Sequence, residues 1–473
     1  MKKDTFKVLG ITFLIVVLLS WIIPAGYYSN GTFTSSGSQV VVGLYDIVRI
    51  PVLTIATFIQ FGVLFLAIGG LYGVLNKTLV YSKIVDSIAK KYNKKGFMIF
   101  TVILFALLTS ITGLNNLVFI LVPFFMAILL KQGYSKIVSL TSTVGAMLVG
   151  AVGTTIGFNI WGYLQYFLSL SMTTYLFARI VILIISVVLL ILLLIKNTKE
   201  VTEVSKTKKA KEEIKIPLYE ENTSKKSVVP FVIISIITLA FIFIGQYNWE
   251  YSFKISLFTN IYESINSFEI AGYPIFANLL SGLSTIGYLG NYDVVVILII
   301  ASLIIGWLYN VKFKDIFEGF VSGAKEMLPS AIYAMLACSV FALLLNMQDA
   351  NSHSANFLNT MVNKLVGSSD FSFAGTTLSA GFISFAYNDF YTLLSNYASV
   401  FKVFDSNVVA IIALMIQTIY GVVMLVAPTS IYLIAGLTLA DVSYKDWIKH
   451  IWKYAVILFI VVIVIAFILT MTI

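Results

Sequence analysis

Residues 97–130 run for 34 positions without a charged side chain, and lysines stand beyond both ends: Lys94 and Lys95 before, Lys131 and Lys136 after. As one helix this stretch would measure about 50 Å, against a hydrocarbon core of about 30 Å. Its middle, SITGLNN (110–116), is polar and holds a glycine. With lysines kept to one side of the membrane, it cannot be a single crossing. It either crosses twice on a tight turn or enters and returns as a re-entrant hairpin. Residues 371–403 pose the same question, because Asn388 and Asp389 interrupt the apolar run in SFAYNDFYTLL (384–394). A carboxylate at the centre of a span costs roughly 2.5–3.5 kcal/mol, which argues that it faces a cavity.

The setting is a polytopic membrane protein. Of 473 residues, 59% are hydrophobic and 11% charged, where soluble domains carry about 25% charged. The first apolar run, 6–27, is too long for a signal-peptide core and reads as a retained span, followed by a polar outer loop at 29–43. The formal charge of +9 marks topology and does not imply nucleic acid. With spans assigned by hydropathy, 26 of the 31 lysines and arginines fall on one side, leaving Arg49, Arg179, Lys254, Lys364 and Lys402 on the other. The N-terminus is therefore expected in the cytoplasm and the C-terminus outside, in the cytoplasmic membrane.

The second half of the chain reads as the first half inverted. The expected divisions are a first repeat at 1–195, with inward hairpin 97–130 and broken helix 137–163; a charged linker at 196–227; a linking span and outer region at 228–291; and a second repeat at 292–473, with outward hairpin 371–403 and broken helix 408–437. Surface helices are expected at 79–95 and 312–327, the latter followed by a separate span at 328–346. Asn116 to Thr154 is 38 residues, and Asp389 to Thr429 is 40. The breaks read GTTI (153–156) and PTSI (428–431). Paired interrupted segments in inverted halves point to a secondary transporter with its site at the midplane. Free backbone at that depth must line a protein-buried cavity, where it supplies N–H groups for anions and carbonyls for cations. The bland alternative is two pairs of short transmembrane helices. Against it, each hairpin arm has only about 15 residues, or about 22 Å of helix. Neither turn carries a lysine or arginine anchor.

Other chemistry finds no support. Cys338 lies in an apolar segment and reads as an inert core thiol. His353 and His450 are expected in separate polar loops, which disfavours a shared metal. Walker A, HExxH and GxSxG patterns are absent, so ATP hydrolysis and these hydrolase chemistries are not indicated. No enzyme activity and no cofactor are expected.

The stretches SWIIPAGYY (20–28), FEGFVSGAKEMLPSAI (317–332) and APTSIYLIAGLTLADVSYKDWIKHIWKY (427–454) resemble the ion transporter superfamily, in particular its C4-dicarboxylate anaerobic carrier-like branch (the YfcC-like proteins). The resemblance covers most of the chain. It implies an elevator mechanism, in which hairpins and broken helices form a mobile domain moving against a dimeric scaffold. It also implies a carrier of C4-dicarboxylates or of basic amino acids, often an exchanger. The chain departs from that branch at both tips, with GLNN (113–116) where glycine-rich and often acidic sequence is usual, and AYND (386–389) where small Gly/Ser residues are usual.

The expected fold is thus an all-α, inverted-repeat membrane transporter with two re-entrant hairpins and two broken helices. The expected function is secondary active transport of a small carboxylate or amino acid, coupled to Na+ or H+ or run by exchange, in a homodimer within the lipid bilayer. A channel, or a receptor or scaffold on the same fold, is the alternative. Candidate substrate- or ion-binding residues are Ser110, Thr112, Gly113, Asn115 and Asn116 at the first tip, which is expected to approach the second near the midplane. Gly153, Thr154, Thr155 and Asn159 stand at the first break. Tyr387, Asn388 and Asp389 stand at the second tip, and Pro428, Thr429 and Ser430 at the second break. A sodium site is expected near Asn116 and Asp389. Tyr391, Gln417 and Tyr420 are further candidates, while Arg179 is expected to anchor the outer interface. Asp389 carries two readings, site carboxylate and helix cap, and hydroxyls at a break also commonly repair their own backbone.

Overall fold

The computed structural model describes residues 2–29, 32–36, 40–204, 215–222, 224–348, 354–366 and 371–471. It is 75% helical, and nine helices among the described residues are long and apolar enough to cross a bilayer. The chain is an all-α polytopic membrane protein in this sense. A short antiparallel hairpin, Gly26–Ser29 with Thr32–Ser35, departs from the all-helical expectation. It takes in the end of the expected first span, 6–27, and the start of the expected polar loop, 29–43. His353 falls outside the described residues, as does part of the charged linker.

Contacts divide the chain into two compact units. The first comprises Met1–Gly62, Ile88–Pro217 and Leu328–Ile473; the second comprises Val63–Ser87 and Leu218–Met327. Each unit draws on both sequence halves.

In the first unit, residues 94–131 form a helical hairpin. Asn93 caps its first arm, Lys94–Thr112, by accepting from the Gly96 N–H. Gly113 ends that arm at φ +69°, a left-handed position that glycine reaches without a Cβ penalty. The second arm follows as Asn115–Ile120 and Val122–Lys131. Because the first arm has 19 residues, about 28 Å, its length suffices to cross the core. The shortness argument fails for this arm, because its helix begins upstream in the lysines. It holds for Phe373–Ala386 and Phe390–Phe401, the 14- and 12-residue arms of the second hairpin.

Both interrupted helices are present. Helix Lys136–Val152 contains one π-helical turn, stops at Gly153 and resumes with a second π turn at Phe158–Gly162. Helix Ser406–Met424 stops and resumes at Ile431–Ala440. The surface helix expected at 312–327 does not end there. A single helix runs Phe313–Ala337 through Pro329, because Met327, Ser330, Ala331 and Ala334 continue one buried face. His450, expected in a loop, belongs to helix Tyr444–Thr470, with its Nδ1 3.0 Å from Asn197 Nδ2.

In the second unit, the end of the charged linker is docked. Asn76 clamps the backbone on both sides of Tyr219: its Nδ2 donates to Leu218 O at 3.2 Å, and its Oδ1 accepts from Glu220 N at 3.2 Å. Glu326 accepts from Leu218 N, and Tyr219 donates to Asp86. Leu218 is 2% exposed, so an apolar anchor in IPLY (216–219) fixes the end of an otherwise charged linker. Asn76→Ala removes both clamp bonds at a local cost of about 1–3 kcal/mol. Trypsin should then cut after Lys215 several-fold faster, and an unchanged rate would contradict the clamp.

Candidate functional site

Each hairpin is tied to the interrupted helix that follows it. At the first, Ser110 Oγ donates to Gly153 O at 2.7 Å, and Thr155 returns two bonds to Ser110 O, from N at 2.9 Å and from Oγ1 at 3.1 Å. At the second, Thr429 Oγ1 donates to Phe385 O at 2.7 Å, and Asn388 Nδ2 donates to Thr429 O at 3.1 Å. In both pairs a threonine of the break caps a carbonyl near the end of the first arm. Thr154 instead bonds back to Ala151 O, and Thr112 to Leu108 O, repairing their own helices.

One helical turn of Ser406–Met424 joins the two assemblies. Gln417 Oε1 accepts from Trp161 Nε1 at 3.2 Å, while its Nε2 donates to Ala151 O and Val152 O at the first break. Three residues on, Tyr420 donates to Asn388 O at 3.0 Å, at the second tip. Positions i and i+3 lie on one helix face, so this turn touches the first break and the second tip together. Tyr432 provides a further link: its ring lies 5.9 Å from that of Phe119, in the second arm of the first hairpin. Tyr163 packs its ring edge-on against that of Tyr391, two residues after Asp389, at 5.2 Å.

The two sides differ in polarity. At the first break the amide N–H groups of Gly153, Thr154 and Gly157 donate to no acceptor among the described residues, and all three residues are buried. Buried backbone groups are paired in more than about 90% of cases, so three free donors mark this stretch. Gly153 also admits helix Leu176–Val204, since a Cβ there would stand 2.5 Å from Leu183 Cβ. Arg179 of that helix is fully buried and donates to Thr155 O at 2.6 Å, to Thr154 O at 3.4 Å and to Met172 O. Its guanidinium stacks on the Trp161 ring, 3.6 Å from the centroid. The expectation that Arg179 anchors an outer interface is therefore corrected: an arginine can leave water when carbonyls and an indole face surround it.

At the second break, side-chain donors occupy the carbonyls: Trp447 bonds Leu425 O, Tyr444 bonds Val426 O and Asn388 bonds Thr429 O. Asp389 caps helix Phe390–Phe401, its Oδ2 accepting from Thr392 N at 2.8 Å and Thr392 Oγ1 at 2.6 Å. Its Oδ1 takes no hydrogen bond among the described residues, so capping uses half of the carboxylate. Two tip asparagines, Asn115 and Asn388, each bury an Oδ1 without a partner. Asn116 is 6% exposed, and its Oδ1 accepts from Leu117 N.

A family match now bears on this polarised site. The C4-dicarboxylate anaerobic carrier family, DcuC, matches residues 3–472. The chain belongs to this family. It is accordingly a membrane carrier of the C4-dicarboxylate class. No match is found among curated proteins.

The remaining expected residues take varied places. Asn159 lies against the first tip, where a Cβ on Gly113 would be 3.1 Å from its N. Tyr387 is buried between the rings of Phe341 and Tyr397, at 5.2 and 5.7 Å, as a packing residue. Ser430 begins Ile431–Ala440 without a side-chain cap bond, and Pro428 lies buried in the same break. Cys338, read from the sequence as an inert core thiol, is buried but receives Asn388 Nδ2 at 3.2 Å from a turn between two helices. Sequence reasoning passed over Tyr163 and Tyr432. Their signal was an aromatic with a polar tip close to a break, a pattern too common to single them out.

Proposed function

We propose that the protein is a secondary active carrier that moves C4-dicarboxylates across the cytoplasmic membrane, coupled to Na+ or H+ or run as an exchanger. The observation that carries this is the polarity of the site. Three free amide donors and a buried guanidinium lie at one break, while an unused carboxylate oxygen and orphan asparagine oxygens lie at the tips. A dianion and its coupling cation need these two environments side by side. Na+ takes oxygen donors, and we assign it to the free oxygens of Asn115 at the first tip and of Asn388 and Asp389 at the second, with Asn116 as a further candidate. The matched threonine ties at the two hairpins support an inverted repeat with re-entrant tips, and the lysine distribution supports an N-terminus inside and a C-terminus outside. Elevator motion of a homodimer is the mechanism proposed for this arrangement.

A second reading has its own support. The Asp389 Oδ1, which capping leaves unused, also suits a substrate ammonium, which favours an amino acid. A thermal-shift series separates the two. Purified protein is heated with C4-dicarboxylates, with their amino and monoamide analogues, and with basic amino acids, each with and without sodium. A ligand at one hundred times its Kd adds about 2.7 kcal/mol to stability. The proposal expects stabilisation by the dicarboxylates and little by the monoamides. Stabilisation by amino acids alone would replace it with the second reading.

A further inference from the structure

We propose that Arg179 sets the polarity of the substrate site from behind, as a positioning residue that fixes the amide planes of the first break and supplies the positive field for one substrate carboxylate. This rests on the reading of the protein as a dicarboxylate carrier. Arg179 is fully buried, its Nε has no partner, and its contacts are three carbonyls and an indole face; no carboxylate pairs with it among the described residues. A buried guanidinium without a counter-ion is costly, and a protein that keeps one at a helix break gains something for it. In a trans peptide the C=O and N–H point opposite ways. By drawing the Thr154 and Thr155 carbonyls toward itself, Arg179 turns the amide N–H groups of 155 and 156 away from the guanidinium. That of Thr155 ends on Ser110, at the first hairpin. The positive end of the Thr155 dipole thus faces the first hairpin. The N-terminus of helix Leu176–Val204 stands beside the same guanidinium and adds to the positive field. The chain thus holds a permanent positive corner at the first break without a second lysine or arginine there.

The test uses full-length protein in detergent and has two arms. In the first, hydrogen–deuterium exchange is followed for amides 153–157 of the wild type, with and without a C4-dicarboxylate that raises its melting temperature. The proposal expects slower exchange there by at least about tenfold with the dicarboxylate and no change with its monoamide. In the second arm, Arg179→Lys keeps the charge but cannot hold three carbonyls in one plane. Its affinity for the dicarboxylate should fall about tenfold, with the transport rate at saturation changed less. If the lysine variant fails to fold, the wild-type exchange arm decides alone. Unprotected amides in ligand-bound wild type, or a folded lysine variant with wild-type affinity, would overturn the proposal. If no dicarboxylate shifts the wild-type melting temperature, the carrier reading itself fails and takes this inference with it.

Discussion

Gly323→Leu should abolish the folded protein, the largest stability loss expected for any single substitution considered. Two helices, Ile59–Lys77 and Phe313–Ala337, meet through glycines spaced four apart: Gly69 and Gly73 on one, Gly319 and Gly323 on the other. A Cβ on Gly323 would lie 1.9 Å from Gly69 O and 2.9 Å from Gly73 N, and one on Gly73 would lie 2.0 Å from Gly319 O. These neighbours are backbone, so no rotamer change relieves the clash. Small residues at such a seam let helices approach in a bilayer, where dispersion and polar contacts replace the hydrophobic effect. Over-packing usually costs about 1–3 kcal/mol. Here the helices must separate along the seam, which places leucine beyond that range. Gly10→Ala is the control: nothing lies within 4 Å of a Cβ at Gly10, and alanine in a helix gains about 0.5–1 kcal/mol. The readout is the monodisperse yield and melting temperature of both variants. A Gly323→Leu protein as stable as Gly10→Ala would contradict the packing.

Asp389→Asn should remove coupled transport by at least about tenfold while leaving the fold intact. Asparagine caps a helix nearly as well as aspartate, and its side-chain oxygen can still accept from Thr392. The charge is lost, along with the anionic oxygen that capping leaves unused. A residue that only capped would tolerate the change. Uptake at several sodium concentrations and pH values, normalised to folded protein, separates these roles. Wild-type rates with unchanged cation and pH dependence would leave Asp389 as a cap alone.

The membrane class, both hairpins and both helix breaks were legible because they rest on hydropathy, lysine placement and glycine or proline at a break. Asn388, Thr155, Gln417 and Tyr420 were legible as polar groups in apolar runs. Arg179 was not. Its position near one end of an apolar helix suggested the interface, and only the path of the neighbouring break turns it inward. The extent of the helix through Pro329 was hidden for a similar reason. A proline and a lysine-rich start argue locally for a boundary, whereas the buried face that carries the helix onward is a tertiary feature. The docked 215–222 segment was masked by the charges around its single apolar anchor.

The central claim is that the polarised site carries a C4-dicarboxylate by alternating access. Counterflow tests it most directly. Purified protein is reconstituted into liposomes loaded with unlabelled C4-dicarboxylate, and labelled dicarboxylate is supplied outside at a far lower concentration. The account predicts saturable, transient accumulation of label above its equilibrium level, abolished when the monoamide replaces the internal load. Flux that rises linearly with concentration and never overshoots, or no flux of any dicarboxylate, would contradict it.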